Sequence, residues 1–419
     1  MFYIPYSYFN SSVTFEFGCV RTNGKYMRLK ILIGIFLSFN LTFGQHPKIT
    51  KIDGGMISIH AIDSTILHLM SAAKVTGLGL AIINGNRIVY EKAYGYKNME
   101  TKEVLDTSTV FYGASLSKAV FMYLCLALVQ QDILNLDKPL YQYLDKPLPE
   151  YPRYTDLAGD DRWKLITTRM CLSHTAGFAN WRFLTASTGK YDRNGKLAIY
   201  FMPGSRFAYS GEGYALLQIV VEKITGKNLE ELAEKNVFQP IGMERTSYIW
   251  QPRFENNYAL GYDENGKPLE KNKRTNAGAA GSMETTLADY AKFIQYIMQK
   301  KGLNQQMYSL MLTPGIPIYS KRMFPTITSD STTENRAIDL SSGLGWGFLN
   351  CPYGKAFFKG GHDDGWEHYN INFVDKGTSI LLMTNSSNGE GIFKEVLEKI
   401  IGDTFTPWKW GNYIPYNDR

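Results

Sequence analysis

A serine followed three residues later by a lysine places a hydroxyl and an amine on one face of a helix, because positions i and i+3 are neighbours there. Such a pair suits nucleophilic catalysis: the hydroxyl attacks a carbonyl, and a neutral amine takes its proton. The 419-residue chain contains this spacing three times, at Ser71 with Lys74, Ser115 with Lys118, and Ser187 with Lys190. Ser71 ends an amphipathic run, and Ser187 sits among Gly and Thr in a loop. Ser115 alone opens a long, almost continuously apolar helical run, SLSKAVFMYLCLALVQQ. At the start of such a helix, backbone N–H groups favour negative charge. Burial would lower the pKa of Lys118 and free it to act as a base. A serine N-cap followed by a surface lysine is the competing local reading.

The motifs around this pair weigh against that competing reading. In order along the chain stand FYGASLSK ending at Lys118, LSHTAG at Leu172–Gly177 and MPGSRFAYSGEGYALLQ at Met202–Gln218. PIGM at Pro240–Met243, AAGSMETTLADYAKF at Ala279–Phe293 and FKGGHDDGW at Phe358–Trp366 follow. This ordered set resembles the β-lactamase-related serine hydrolases, a family of class C β-lactamases, DD-peptidases, D-aminopeptidases and carboxylesterases on one penicillin-recognising fold. The resemblance implies Ser115 as nucleophile and Lys118 as its proton acceptor. It implies Tyr209 as the hydroxyl that relays a proton to the leaving group, and Lys359 as a positive charge beside it. The backbone N–H groups of Ser115 and His362 would form the oxyanion hole, and Gly211, Gly360 and Gly361 would line the substrate site.

Two positions depart from the family pattern. Gly211 stands where many relatives carry Asn, and Gly360 stands where a hydroxyl residue helps hold the carboxylate of penicillins and D-Ala-D-Ala peptides. Both weaken the case for a dedicated β-lactamase or DD-carboxypeptidase. They leave esters, amides and D-amino-acid or cell-wall peptides as substrates of a serine hydrolase. A non-catalytic sensor of cell-wall peptides is a further alternative, and the unbroken Ser–Lys–Tyr set argues against it. His174 reads as a structural turn residue, since buried polar side chains are mostly hydrogen-bonders. Asp363 and Asp364 read as solvated neighbours pointing apart. Trp366 lines the site or packs, and Glu212 is a candidate for the space left by the missing Asn.

The elements that must position these groups can be read from periodicity. Apolar spacing over 57–74 predicts an amphipathic helix. Two β-type runs at 77–83 and 87–94 flank Asn84-Gly85-Asn86, a hairpin signal. Helices are expected from Ser115, over Tyr214–Ile224, over Thr286–Gln299 and over Gly391–Ile401. Strands are expected at Lys355–Lys359, Tyr369–Val374 and Thr378–Thr384. Residues 313–341, rich in Pro, Ser and Thr, read as an irregular excursion. Strands at both chain ends and helices between them imply an α/β (α+β), β-lactamase/transpeptidase-like fold. Its antiparallel sheet would come from about 57–95 and 343–402, flanked by helices, with a mostly helical lobe inserted over about 119–335.

Charge and cysteine content narrow the function classes. The net charge of +6 includes Arg21, Lys25, Arg28 and Lys30 against Glu16 in the first 44 residues. The remainder, about +3 over 45–419, carries no basic stripe and gives no case for nucleic acid. A small-molecule or short-peptide substrate fits better. No metal or cofactor motif is present, and Cys19, Cys125, Cys171 and Cys351 are too scattered for a disulfide framework. Residues 27–45, MRLKILIGIFLSFNLTFGQ, have the order of a signal peptide with cleavage before Gln45. That reading implies an exported, periplasmic or secreted protein with a start at Met27. An uncleaved anchor is the alternative, although the apolar run is short for a span.

Overall fold

The computed structural model describes residues 48–328 and 330–418. The signal-peptide reading, and Cys19 with it, lie outside the described residues. Helix α1, Ile59–Ala73, begins where the Ser58 hydroxyl accepts the Ala61 N–H, so Ser58 is its cap. Strands β1, Gly77–Asn84, and β2, Arg87–Asn98, form the expected hairpin. Its two-residue turn uses Gly85 and Asn86, both at positive φ, as a tight hairpin turn demands.

The apolar run after Ser115 is helix α2, Ser117–Gln130, buried on nearly every side. Helices α3, Gly211–Thr225, and α4, Leu287–Met298, follow. Strands β3, Gly347–Cys351, β4, Gly354–Asp363, β5, Trp366–Phe373, and β6, Thr378–Thr384, then lead to the closing helix α5, Phe393–Ile400. Between α4 and β3 the chain is irregular over most of 313–341, as its composition implied, apart from short pieces such as Glu334–Ile338.

These strands join one antiparallel sheet of nine. From edge to edge the order is Glu103–Val104, β2, β1, β6, β5, β4, β3, Ser341–Ser342 and Ile316–Pro317. The two ends of the chain meet where β1 pairs with β6, Leu80 opposite Leu382. The period of two is clean here. Leu78, Leu80, Ile82, Ile380 and Leu382 pack on one face with Ile62, Ile66 and Leu69 of α1 and with Val396, Leu397 and Ile400 of α5. Ala81, Ile83, Leu381 and Met383 face α4 and the helical lobe through α2. Each fully buried Leu or Ile contributes about 1.5–3 kcal/mol, so a register slip would be heavily penalised. Among the described residues no helix is long and apolar enough to cross a membrane.

The sheet also builds the seat of Ser115. Strand β3 stops pairing with β4 at Gly347 opposite Phe358. Past that point one edge of β4 is open, and the turn carrying Ser115 packs there. A Cβ on Gly361 would sit 2.9 Å from the Gly113 carbonyl oxygen, so only glycine allows this approach. On its other side the turn is held by Val110–Tyr112 pairing with Glu284–Thr286. Ser115 lies in a 3₁₀ turn, Ala114–Leu116, one step ahead of α2. Ala114 has φ +44°, strained for a residue with a side chain. The buried Ser117 hydroxyl donates to the Ala114 carbonyl at 2.5 Å and accepts the Met283 N–H at 3.1 Å. Ser117→Ala should therefore cost about 1–3 kcal/mol by orphaning a buried donor. Urea unfolding checks this, and an unchanged midpoint would mean that the hydroxyl does not hold the turn.

Candidate active site

Lys118, in the first turn of α2, returns toward the 3₁₀ turn. Its Nζ donates to Ser115 Oγ at 3.0 Å and to the Ala280 carbonyl at 2.5 Å. Ser115 is not the cap of α2, since no side chain caps that helix. The competing reading of an N-cap serine beside a surface lysine is thus not what the fold contains: Lys118 is 1% exposed.

Tyr209 stands between this pair and Lys359. Its ring lies 4.9 Å from Lys118 Nζ and 4.9 Å from Lys359 Nζ. Its hydroxyl accepts from Lys359 Nζ at 3.5 Å, and Ser115 nearby favours its ionised form, opposing burial. Helix α3 begins immediately after it, three residues earlier than periodicity indicated. The Ser210 hydroxyl caps the helix by accepting the Gly213 N–H and donates to the Ala179 carbonyl. Lys359 comes from β4, which continues to Asp363 and so carries Lys359, Gly360, Gly361 and His362 on one extended segment.

Burial sets the charges. Desolvation, then the nearby charge of Lys359, drives the Lys118 pKa well below the ordinary lysine value. Burial lowers that of Lys359 from 10.5 to about 7. Burial raises the Tyr209 phenol above its usual range. Among the described residues no carboxylate lies within ion-pairing distance of either lysine. By contrast Lys271, also buried, meets Glu284 at 2.6 Å.

The remaining candidates sort by contact. His174 Nδ1 accepts the Ser210 N–H at 3.0 Å, its carbonyl accepts the Ala208 N–H at 2.9 Å, and its ring stacks on Tyr209 at 4.4 Å. Burial and the two lysines push its pKa well below 6.5. It thus braces Tyr209 from both sides, as the structural reading held. The His362 side chain is exposed and bonds Glu367 at 2.7 Å, which raises its pKa to about 9. Asp363 and Asp364 are exposed strand-end and turn residues. Trp366 packs edge-on against Phe111 and Tyr112, away from the cleft. Glu212 does not turn toward the site. It is buried against Arg153 and Arg182, each 3.0 Å from Oε2.

Ser115, Tyr209, Lys359, Gly360, Gly361 and His362 all line one cleft of about 1080 Å³. Sequence reasoning missed several of its walls. Trp181 and Phe183 stack on one side, and Phe324, Trp408 and Trp410 line it elsewhere. Their only signal was aromatic content in irregular segments. Cys125 and Cys171 are buried free thiols, while Cys351 is half-buried.

An antiparallel sheet closed by both chain ends, with this cleft at the edge of β4, is the penicillin-binding and β-lactamase fold. The D-alanine carboxypeptidase AmpC of Burkholderia cenocepacia superposes with a TM-score of 0.63 at 18% identity, over 82% of this chain and 98% of that one. The family model described as Beta-lactamase matches residues 62–401, and the chain belongs to that family. It is 24% identical to penicillin-binding protein 4* of Bacillus subtilis (strain 168) over 72% of this chain, spanning 66% of that relative's length. It is 26% identical to a β-lactamase of Pseudomonas fluorescens over 70% of this chain and 74% of that protein.

Two results follow from the unpaired lysines. A neutral native Lys359 binds fewer protons than the unfolded chain above pH 7, so its contribution to stability rises with pH between about 7 and 10.5. Lys359→Met should remove that slope and raise stability at pH 7 by about 1–2 kcal/mol. Denaturant midpoints from pH 6 to 10 test it, and an unchanged slope would contradict the burial assignment.

Proposed function

We propose that this protein is a serine hydrolase that works through an acyl-enzyme on Ser115. The observation that carries the reading is the 3.0 Å contact between Ser115 Oγ and a lysine whose burial favours the neutral amine. In the first step Ser115 Oγ bonds to the substrate carbonyl carbon and its proton passes to Lys118 Nζ. The carbonyl oxygen becomes an anion held by the N–H groups of Ser115 and His362, donors whose benefit appears only as charge develops. The bond to the leaving group then breaks. That group takes the proton from Lys118 through the Tyr209 hydroxyl, with Lys359 supplying positive charge. Water reverses the sequence: it bonds to the acyl carbon, yields a proton to the same base, and Ser115 departs with a proton restored.

The chemistry needs Lys118 neutral and Lys359 charged. The rate should therefore fall as pH rises through about 7, where Lys359 loses its proton. Lys359→Arg keeps the charge and should move that falling limb upward by more than one pH unit. A limb that stays in place would assign it to another group.

Esters, amides and D-amino-acid peptides form the substrate range we infer, in an exported protein given the signal-like segment at 27–45. The second reading is a β-lactamase or DD-carboxypeptidase proper, favoured by the names of the relatives. The glycines at 211 and 360 weigh against it, since neither supplies a polar side chain to such ligands. A purely binding role is disfavoured by the unbroken Ser115, Lys118, Tyr209 and Lys359 set. A fluorophosphonate should add one adduct to Ser115 by intact mass and peptide mapping, and Ser115→Ala should abolish both labelling and turnover. No adduct across several acyl donors would sink the proposal. A Cβ on Gly360 would meet only the His368 carbonyl, at 3.5 Å. Gly360→Ser should therefore fit, and should raise kcat/KM on nitrocefin about tenfold by one charge-assisted hydrogen bond.

A further inference from the structure

The glycine at position 211 has a physical partner. Its φ is not in the left-handed region, so backbone conformation does not require glycine there. Space does. A Cβ at 211 would fall 2.6–2.7 Å from three atoms of the Trp181 indole, closer than any side chain allows. Trp181 therefore occupies the volume into which a residue-211 side chain would project, and gives the cleft an aromatic wall there.

That wall is built to hold its position. On one side of Trp181, the Asn180 carbonyl and Oδ1 accept the Gly211 N–H at 2.9 and 3.0 Å, and the Asn180 N–H donates to Thr326 Oγ1 at 3.2 Å. On the other side, Arg182 is tied to the buried Glu212 carboxylate through its Nε at 3.1 Å, its Nη2 at 3.0 Å and its backbone N–H at 3.2 Å. Glu212 explains itself here as an anchor. Phe183 stacks on Trp181, with centroids 5.6 Å apart and planes 11° from parallel. Phe183 remains 43% exposed. Across the cleft Phe324 sets its edge on the Tyr209 ring at 5.4 Å. A rigid, partly wetted aromatic face thus shares one cleft with Ser115, and preorganisation of this kind lowers the cost of binding a flat group.

We propose that the Trp181–Phe183 face receives an aromatic group of the substrate, making aryl-bearing esters the preferred class. This rests on the hydrolase reading above. Ring stacking adds roughly 0.5–1.5 kcal/mol beyond area burial, a two- to twelvefold effect on rate. Paired substrates isolate it: ethyl phenylacetate against ethyl cyclohexylacetate for an aromatic acyl group, and benzyl acetate against cyclohexylmethyl acetate for an aromatic leaving group. Each pair keeps its carbon skeleton and reaction, and differs in flatness. Hydrolysis is followed by pH-stat, with fluorophosphonate labelling of Ser115 run on the same enzyme.

The aryl member should win by at least twofold in one arm, which also says which half of the ester meets the wall. Trp181→Leu should bring that ratio near one. Gly211→Ala, which must push the indole away, should lower it too. If Trp181→Leu does not fold, Phe183→Leu on the exposed face should still reduce the ratio about twofold. Ratios near one in both arms, with Ser115 labelled, overturn the aromatic site and leave the hydrolase reading standing. An unlabelled Ser115 with no hydrolysis overturns both.

Discussion

Two lysines buried against one tyrosine ring, without a carboxylate to neutralise them, set the behaviour of the whole site. Burial alone disfavours an ammonium, and a second ammonium nearby disfavours it again. Lys118 experiences both effects, burial first and then the charge of Lys359, while Lys359 is lowered by burial alone. The arrangement pushes their protonation apart, so that one can be a base while the other remains a cation. The aromatic face offsets part of the cost, since a desolvated cation over a ring gains up to about 2 kcal/mol. Lys271 provides the internal contrast. Its side chain is also buried and its pKa is also lowered by burial, yet Glu284 sits on it at 2.6 Å and opposes that lowering, a counterweight that Lys118 and Lys359 lack.

Everything that brings those two lysines together is long-range. Lys118 rides on α2 and Lys359 on β4, 241 positions apart in sequence. They meet because β1 and β6 zip the chain ends into one sheet, and because β3 stops at Gly347 and opens an edge of β4. Gly361 lets that edge approach Gly113, while the Glu284–Thr286 strand brings Ala280 over Lys118. The strain at Ala114 is the local cost of presenting Ser115 on the turn, and Ser117 absorbs it. His174 acts one step further out. It fixes the backbone on both sides of Tyr209 and, being held neutral, adds no third charge.

Much of this was legible in the chain because it repeats. β-type runs marked β1 and β6, the Asn84-Gly85-Asn86 turn marked the hairpin, and almost continuous apolar character marked α2 as buried. Ordered motifs brought Ser115, Lys118, Tyr209 and Lys359 to attention before any geometry was known. Boundaries were less legible where side chains decide them. Helix α3 starts at Gly211 because Ser210 caps it, and β4 runs to Asp363 because β5 pairs with it that far. Least legible were the contacts of Glu212 and Trp181. Glu212 finds its arginines 59 and 30 residues away, and Trp181 lies in a loop without period. Neither distance in sequence nor loop conformation leaves a pattern to read.

The two glycines that depart from the family pattern looked alike as letters and differ as physics. At 360 the missing side chain leaves room, with one carbonyl at ordinary contact distance. That position lacks a group and nothing has replaced it. At 211 the space is taken: the Trp181 indole fills it, and Asn180 and Arg182 hold the indole there. Residues 211 and 181 are therefore coupled, because the indole fits only where residue 211 has no side chain. Restoring a polar residue at 211 alone would collide with the indole, so the two positions must change together. On the proposed reading, the cleft meets its substrate here with a ring carried by the loop around 181, where variation costs the fold least.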